Sequence, residues 1–232
     1  MCIFILKVFC ESSDLFYNPI ESNFDEGDTD GWIVSDKSQN LNTSKSLKIQ
    51  NNKLEFSQYD DEYKNQELYF IAPNKFKGNK LTSYGGNLTF KIHFEGSSQI
   101  NERTKKLSVR LIGAGTDFIY HSYSNFGPYK ESKIVILLRE ESFRRFDDDT
   151  PIERYEFLMA LSNIEHIMIR ASFVSRQYSV SLDDVSMSYG ENFANSKNDG
   201  SINHKALSVE VCQCPIGYTG TSCEVILYYF LL

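Results

Sequence analysis

Apolar and polar residues alternate with a period of two in several short segments of this chain. In the clearest of them, apolar Leu88, Phe90, Ile92 and Phe94 are separated by polar residues. Because successive side chains of a strand point to opposite faces, this pattern predicts a β-strand with one buried face. The other segments with strand character are residues 67–71, 107–111, 134–138, 167–173 and 179–189.

One segment has a different period. Within residues 154–166, Phe157, Leu161 and Ile164 recur at helical spacing, and Pro151 lies just before them. This spacing predicts one short helix. The region around residues 191–204 is rich in Asn, Ser, Asp and Gly, which is typical of a linker. Many strands with a single short helix favour an all-β fold, an antiparallel β-sandwich of the jelly-roll type.

The alternating segments also predict a core. A domain of this size buries roughly 70% of the surface of its unfolded chain, so residues 24–189 are expected to fold without any disulfide bond. The apolar positions expected to form one continuous core between two sheets are Leu88, Phe90, Ile92, Phe94, Leu107, Val109, Leu111, Val180 and Leu182.

Composition and charge exclude one class of function. The 232 residues include 17 Phe and 14 Tyr, and 41% are hydrophobic, which suits strands packed on a core. The net charge is −7, and basic runs such as Arg144 and Arg145 are short. Nucleic-acid-binding proteins usually carry a basic patch or stripe, so we expect no nucleic-acid partner.

The five cysteines all lie near the two ends of the chain, and none lies between Cys10 and Cys212. This distribution predicts a disulfide framework from which a cysteine-free domain emerges, as in secreted proteins. Zinc is the alternative, but Cys212 and Cys214 are closer together than the ligands of zinc knuckles, and no histidine lies beside them. The odd count leaves one cysteine without a partner in the chain.

Both ends of the chain are apolar, at residues 1–9 and 225–232. The first segment resembles a poor signal peptide, and the second is far shorter than the ~20 apolar residues that a spanning helix needs. We therefore expect no membrane insertion. Both segments are interpreted as edges of a fragment or of an imperfect gene model.

Several motifs, in order, resemble one family. Residues 67–86 (ELYFIAPNKFKGNKLTSYGG) resemble the part of laminin domain IV type A in which an aromatic-rich strand leads into Ala-Pro, Phe-x-Gly-x-x-Leu and Ser-Tyr-Gly-Gly. Residues 87–94, 157–164, 167–172 and 182–187 are similar to the strand, short helix and closing strands that follow there. The resemblance, over residues 24–189, implies a secreted, non-catalytic module that is structural or adhesive, in a basement membrane glycoprotein of the laminin or perlecan kind.

The flanks are similar to a laminin-type epidermal-growth-factor-like module, which domain IV interrupts in that family. Residues 212–224 (CQCPIGYTGTSCE) carry this similarity. It implies disulfide bonds Cys214–Cys223 and Cys2–Cys212, with Cys10 unpaired. The implied organisation is a half-module at 1–22, the laminin domain at 23–190, a linker at 191–207, a second half-module at 208–224 and an apolar tail at 225–232, which need not be native.

Motifs for catalysis are missing from the sequence. It has no Gly-x-Ser-x-Gly elbow, no His-Glu-x-x-His pair and no phosphate-binding glycine loop. We therefore expect that the chain is not an enzyme. Two N-glycosylation sequons, at Asn42 and Asn87, fit a secreted chain.

The alternative to a structural module is a jelly roll that binds a glycan or a protein ligand. The implied partners are extracellular matrix proteins or glycans. Exposed aromatic rings would form a platform for stacking sugars, although we expect most of these rings to pack in or beside the core. The candidate rings are Tyr59, Tyr63, Tyr69, Tyr120, Tyr123, Phe126 and Tyr129.

A structural calcium ion is the only cofactor that the residues suggest. Alternation places Asp184 on the same face as Val180 and Leu182, and a buried carboxylate is costly unless it is paired, hydrogen-bonded or metal-bound. Modules similar to this family place calcium between an early acidic turn and an Asp of the final strand, so Asp25 or Glu26 would be the other ligand. A β-bulge that turns Asp184 to solvent, or backbone amides that bind it, remain the alternatives.

Overall fold

The computed structural model describes residues 19–38, 47–57, 66–97, 106–122 and 126–189, together with two short strands at 218–219 and 225–226. Short 3-10 turns lie at Asn74–Phe76, Leu81–Ser83 and Glu140–Ser142. The longer elements are β1 (Ile20–Ser22), β2 (Ile33–Asp36), β3 (Leu47–Gln50), β4 (Lys53–Ser57), β5 (Leu68–Ile71), β6 (Asn87–Ser97), β7 (Ser108–Gly113), β8 (Thr116–His121), β9 (Ser132–Leu137), β10 (Arg144–Arg145), α1 (Arg154–Ser162), β11 (Ile164–Arg170), β12 (Arg176–Met187), β13 (Tyr218–Thr219) and β14 (Val225–Ile226).

The strands form two six-stranded antiparallel sheets, which confirms the predicted all-β class. The first sheet has the order β3-β4-β12-β6-β9, and β1 pairs with the last part of β12. The second sheet has the order β10-β8-β7-β11-β5-β2. A separate two-stranded sheet joins β13 and β14.

The two sheets share one hydrophobic core. Along β6, inward-facing Leu88, Phe90, Ile92 and Phe94 alternate with residues that face outward, as the sequence predicts. Strands β7 and β11 supply the opposite side, and every position predicted for the core belongs to this single cluster. Aromatic rings join the layers: the ring centres of Phe94 and Phe173 are 4.9 Å apart.

Helix α1 begins where the sequence predicts, because a capping box joins Glu153 and Glu156 at its start. It ends at Ser162, so the predicted end at 166 is wrong. The reason lies outside the helix: the backbone N–H of Ile164 donates to the carbonyl of Gly78 at 2.9 Å, and Ile164 thereby starts β11. No helix in the described ranges is long and apolar enough to cross a membrane.

The first and last strands of the sandwich are neighbours in the first sheet. In the pairing of β1 with β12, Ile20 is opposite Met187. Pairing therefore starts before residue 23, the predicted start of the domain. Trp32 anchors this first strand, because its indole Nε1–H donates to the hydroxyl of Ser22 at 2.9 Å and both side chains are buried.

Candidate functional site

The outward side of the first sheet is polar over its middle strands and is built from cross-strand rows. Leu54, Leu182 and Ile92 are paired across three strands and face the core, so their neighbours along each strand face outward. We call this surface the outer face. Its polar residues are Lys53, Glu55 and Ser57 of β4, Ser179, Ser181 and Asp183 of β12, Lys91, His93 and Glu95 of β6, and Lys133 of β9. Val135 and Leu137 of β9 form its apolar margin.

An ion pair crosses the outer face. The ammonium group of Lys53 contacts the carboxylate of Glu131, the residue just before β9. Strands β12 and β6 lie between β4 and β9, and adjacent strands are about 4.8 Å apart. The two side chains therefore reach over the middle of the sheet. The hydrogen bond from Lys53 lowers the pKa of Glu131, but both groups are partly exposed, so the pair adds little stability.

Small hydroxyl side chains lie on β12 in the middle of the outer face. Ser179 and Ser181 are only 8% and 7% exposed, and they separate the charged side chains of β4 from those of β6. Burial raises the pKa of Asp183, two residues after Ser181 on the same strand. The middle of the outer face presents hydrogen-bonding groups and charges of both signs, and the exposed ring of Tyr178 lies toward the start of β12.

The aromatic residues considered for a sugar platform do not come together among the described residues. Tyr69 is 1% exposed, and Tyr120 and Phe126 pack against the core. Tyr129 is 62% exposed and is the one described member of the set that faces solvent. The other three candidates, Tyr59, Tyr63 and Tyr123, lie outside the described residues.

A polar pocket of about 360 Å³ lies at one end of the outer face, where β1, β6 and β9 meet β12. Two residues of the predicted calcium site, Asp25 and Asp184, line it together, whereas Glu26 does not. Asp25 also accepts a hydrogen bond from the side-chain amide of Asn52 at 3.2 Å. The full lining is Glu21, Ser22, Asn23, Asp25, Thr89, Phe90, Lys91, Lys133, Asp184, Val185 and Ser186.

The orientation predicted for Asp184 is wrong. The pairing of β12 with β6 shifts register between Asp183 and Ser186, and Asp184 has a left-handed φ of 46°. This β-bulge inserts an extra residue and turns the side chain outward, where it is 52% exposed and paired with Lys91. The hydrogen bond that Lys91 donates to the Asp184 carboxylate raises the pKa of Lys91. Asp184 is therefore not a buried carboxylate that needs a cation.

Calcium binding stays a prediction. Within the described residues, no three Asp, Glu, His or Cys side chains are grouped closely enough to hold a metal ion. Two lysines, Lys91 and Lys133, share the pocket with Asp25 and Asp184. Their charges oppose cation binding unless Lys91 releases Asp184.

The structure describes one of the two sequons. Asn87 is the first residue of β6, is exposed, and lies opposite Leu137 of β9. Asn42 lies outside the described residues, as do Cys2, Cys10, Cys212, Cys214 and Cys223. The implied disulfide bonds and the first glycan site therefore stay predictions.

The described histidines do not converge on one site. His93 is on the outer face, whereas His121 and His166 lie on the second sheet. Burial lowers the pKa of His121 and of His166. In both rings, Nδ1 is buried without a hydrogen-bond partner.

Sequence reasoning missed the outward side of the second sheet. Tyr69, Ile71 and Met168 form a second buried cluster there, separate from the main core. Arg110 belongs to the same side and is 6% exposed, with its guanidinium 4.0 Å from the ring centre of Phe146. A signal was present, because β5 (LYFI) is apolar at every position, which is typical of a strand covered on both faces.

Comparison with known proteins identifies similar chains. The family described as laminin B (domain IV) matches residues 69–210. The basement membrane-specific heparan sulfate proteoglycan core protein of Mus musculus is 31% identical over 93% of this chain. Laminin subunit alpha-1 of Mus musculus is 33% identical over 69% of it. The chain spans only 6% and 5% of these two relatives.

A solved structure has the same fold. The L4b domain of human laminin alpha-2 superposes with a TM-score of 0.64 and 20% sequence identity. The match covers 75% of this chain and 98% of that domain. At this level of identity the similarity concerns the fold, and it includes the sandwich described above.

Proposed function

Because this chain belongs to the laminin B (domain IV) family, we propose that it is a non-catalytic structural module of a secreted basement membrane glycoprotein. The names of the relatives support this location, since they denote a basement membrane proteoglycan and laminin subunits. The proposal concerns the module, which is a small part of the length of those proteins.

The observation that carries the proposal is the pairing of the first strand with the last. Opposite residues of an antiparallel pair have Cα atoms about 4.5–5.5 Å apart, and Ile20 is opposite Met187. When the first and last residues of a domain are close in space, the domain can be inserted into a host module without moving the two halves of the host apart. This geometry suits an insert between two half-modules, one before β1 and one proposed at 208–224.

Within this arrangement, the cysteines pair as Cys2–Cys212 and Cys214–Cys223. A bond between Cys2 and Cys212 requires Cα atoms within about 7 Å, and adjacent domain ends favour that approach. Peptide mapping of the secreted chain under non-reducing conditions tests the pairing. A bond between Cys10 and Cys212 would contradict it.

The polar character of the outer face favours a spacer over a sugar platform. A platform needs several exposed, coplanar rings, and the outer face has charges and hydroxyl groups instead. Such a face suits solvent or a polar matrix partner. Binding of matrix glycans or proteins through loops at the ends of the sandwich is the second candidate function, since Tyr129 is exposed at 62% beside the Glu95 end of the face.

A transplant experiment tests the proposed insert. Residues 19–189 are placed in a surface loop of a fluorescent carrier protein, and residues 24–189, which lack β1, serve as the matched control. We expect the longer fragment to leave carrier fluorescence intact and to unfold in a cooperative transition. The shorter fragment is expected to perturb the carrier, because its ends are no longer on paired strands. Equal behaviour of the two fragments would contradict the role of β1.

The proposed location is tested with the whole chain. When the chain is directed into the secretory pathway of cultured epithelial cells, we expect it in the medium and in the deposited matrix, with its cysteines oxidised. Retention of reduced chain inside the cells would contradict a secreted matrix module.

A further inference from the structure

Strand β9 is an edge of the first sheet with an unusually apolar outward side. Its inward residues, Ile134 and Ile136, are buried in the core. Its outward residues Val135 and Leu137 are 54% and 42% exposed, which places both among the exposed large hydrophobic side chains of the described chain. Residues 134–138 therefore form an uncharged aliphatic run on an edge strand.

An exposed apolar edge strand of this kind promotes aggregation. An edge strand has unpaired backbone groups that can pair with another chain, and natural proteins usually protect it with charges or a cover. At the opposite edge of the same sheet, β3 has outward Lys48 and Gln50. Strand β10, at an edge of the second sheet, consists of Arg144 and Arg145. Strand β9 has one outward charge, Lys133 near its start, and none from there to its end at Leu137.

A glycan acceptor lies directly beside this apolar side. Asn87 is opposite Leu137 and Thr89 is opposite Val135, so these residues share one face of the sheet. Opposite side chains have Cβ atoms about 4.5–5.5 Å apart. The backbone of Asn87 is held by Ser188, the residue that follows β12. The N–H of Asn87 donates to the hydroxyl of Ser188 at 3.0 Å, and its carbonyl accepts from the N–H of Ser188 at 2.9 Å.

We propose that Asn87 carries an N-linked glycan whose first sugars lie over Leu137 and Val135 and protect the edge strand β9. The inference rests on the proposed secretion of the chain. An oligosaccharide is transferred from a lipid diphosphate donor: the bond from sugar C1 to the diphosphate breaks, a bond from C1 to Asn87 Nδ2 forms, the nitrogen loses a proton, and the lipid diphosphate leaves with the electron pair.

The register explains why this position can act as a cover. The glycan starts within one cross-strand distance of Leu137 and next to the Thr89–Val135 pair, and its attachment point stays there because both strands are paired in the sheet. A glycan is bulky and strongly hydrated. It therefore replaces exposed aliphatic surface with hydrated surface and blocks the approach of a second strand to β9.

The test uses the full chain secreted from mammalian cells. Four forms are compared: wild type, Asn87→Gln, Thr89→Ala and Thr89→Ser. The first and last keep the acceptor triplet, and the other two lose it by different substitutions. Mass spectrometry after enzymatic deglycosylation in ¹⁸O-water reports occupancy of Asn87. Size-exclusion chromatography and binding of a hydrophobic dye report self-association and exposed apolar surface.

We expect wild type and Thr89→Ser to carry the glycan, and Asn87→Gln and Thr89→Ala to lose one glycan mass. The two forms without the glycan should bind several times more dye and associate at lower concentration. Adding Leu137→Lys and Val135→Lys to Asn87→Gln should restore the monomer, because charges then protect the edge.

Two results overturn the inference. A secreted wild-type chain with Asn87 unoccupied would remove the modification site, while the proposed matrix location would stand. An occupied Asn87 whose loss changes neither dye binding nor association would remove the protective role. Failure of every form to be secreted would instead contradict the proposed function on which the inference rests.

Discussion

The hydrogen bond from Trp32 to Ser22 can be tested for its contribution to the stability of the first strand. Ser22 on β1 accepts a hydrogen bond from Trp32 Nε1–H at 2.9 Å and donates one to Asp30 at 2.6 Å. The exposed fractions of Ser22 and Trp32 are 2% and 1%, so water does not easily replace a lost partner. Ser22→Ala removes the hydroxyl and leaves the buried indole N–H without an acceptor.

The magnitude follows from the cost of a buried donor that lacks a partner, about 1–3 kcal/mol. The loss at Asp30 adds little, because this carboxylate is partly exposed and keeps its ion pair with Lys75. For a domain of 150–250 residues, 1 kcal/mol shifts the melting temperature by roughly 2–4 °C. We therefore expect Ser22→Ala to melt about 2–12 °C below the wild type.

Trp32 is the single tryptophan of the chain, so its fluorescence reports on this bond directly. Urea and thermal unfolding are followed by tryptophan emission, and Ser186→Ala is the matched control. Ser186 lies on the partner strand, and its hydroxyl makes a long, exposed contact of 3.4 Å with Glu21, so loss of this hydroxyl should cost less than about 0.5 kcal/mol. If Ser22→Ala were as stable as Ser186→Ala, the buried bond would not anchor β1.

Three further predictions concern packing, pH and metal. A Cβ on Gly113 would lie 2.4 Å from the carbonyl oxygen of Ala160, so Gly113→Ala should lower the free energy of unfolding by about 1–3 kcal/mol. A Cβ on Gly127 would meet open space, so the control Gly127→Ala should leave the free energy of unfolding unchanged. Burial lowers the pKa of His166, so as the pH falls the unfolded chain binds a proton at this ring before the folded chain does. The melting temperature should therefore fall as the pH drops from about 7.5 to about 5.5. The variant His166→Gln should show a smaller change over the same range. If calcium binds the pocket, EDTA should lower the melting temperature of the wild type but not of Asp184→Asn; a wild-type curve indifferent to EDTA would remove the ion.

The fold class was open to prediction because it follows from local alternation. The inward residues of β6 were identified from period two alone, and they lie in the core as expected. Family motifs added the identity of the module, since residues 67–86 are a long ordered match. Neither inference needed knowledge of which strands are neighbours, because burial of one strand face depends only on side-chain direction along that strand.

The end of the helix could not be predicted in the same way. Ile164 fits the helical spacing of Phe157 and Leu161, so a local pattern assigns it to α1. In the folded chain, both backbone groups of Ile164 bond to Gly78, far away in sequence. Only the tertiary structure provides those partners, and they decide where the strand begins.

The candidate site depended on tertiary structure most of all. Alternation assigned Asp184 to the core, but one extra residue in the bulge of β12 reverses the faces, and the sequence has no marker for that insertion. The pairing of Asn87 with Leu137 likewise joins two strands with two other strands between them in sequence. The sequence by itself determined the fold class, the core positions of its clearest alternating strands and the family of the chain. Register and sheet order decided which side chains share a surface, because these depend on contacts between distant segments.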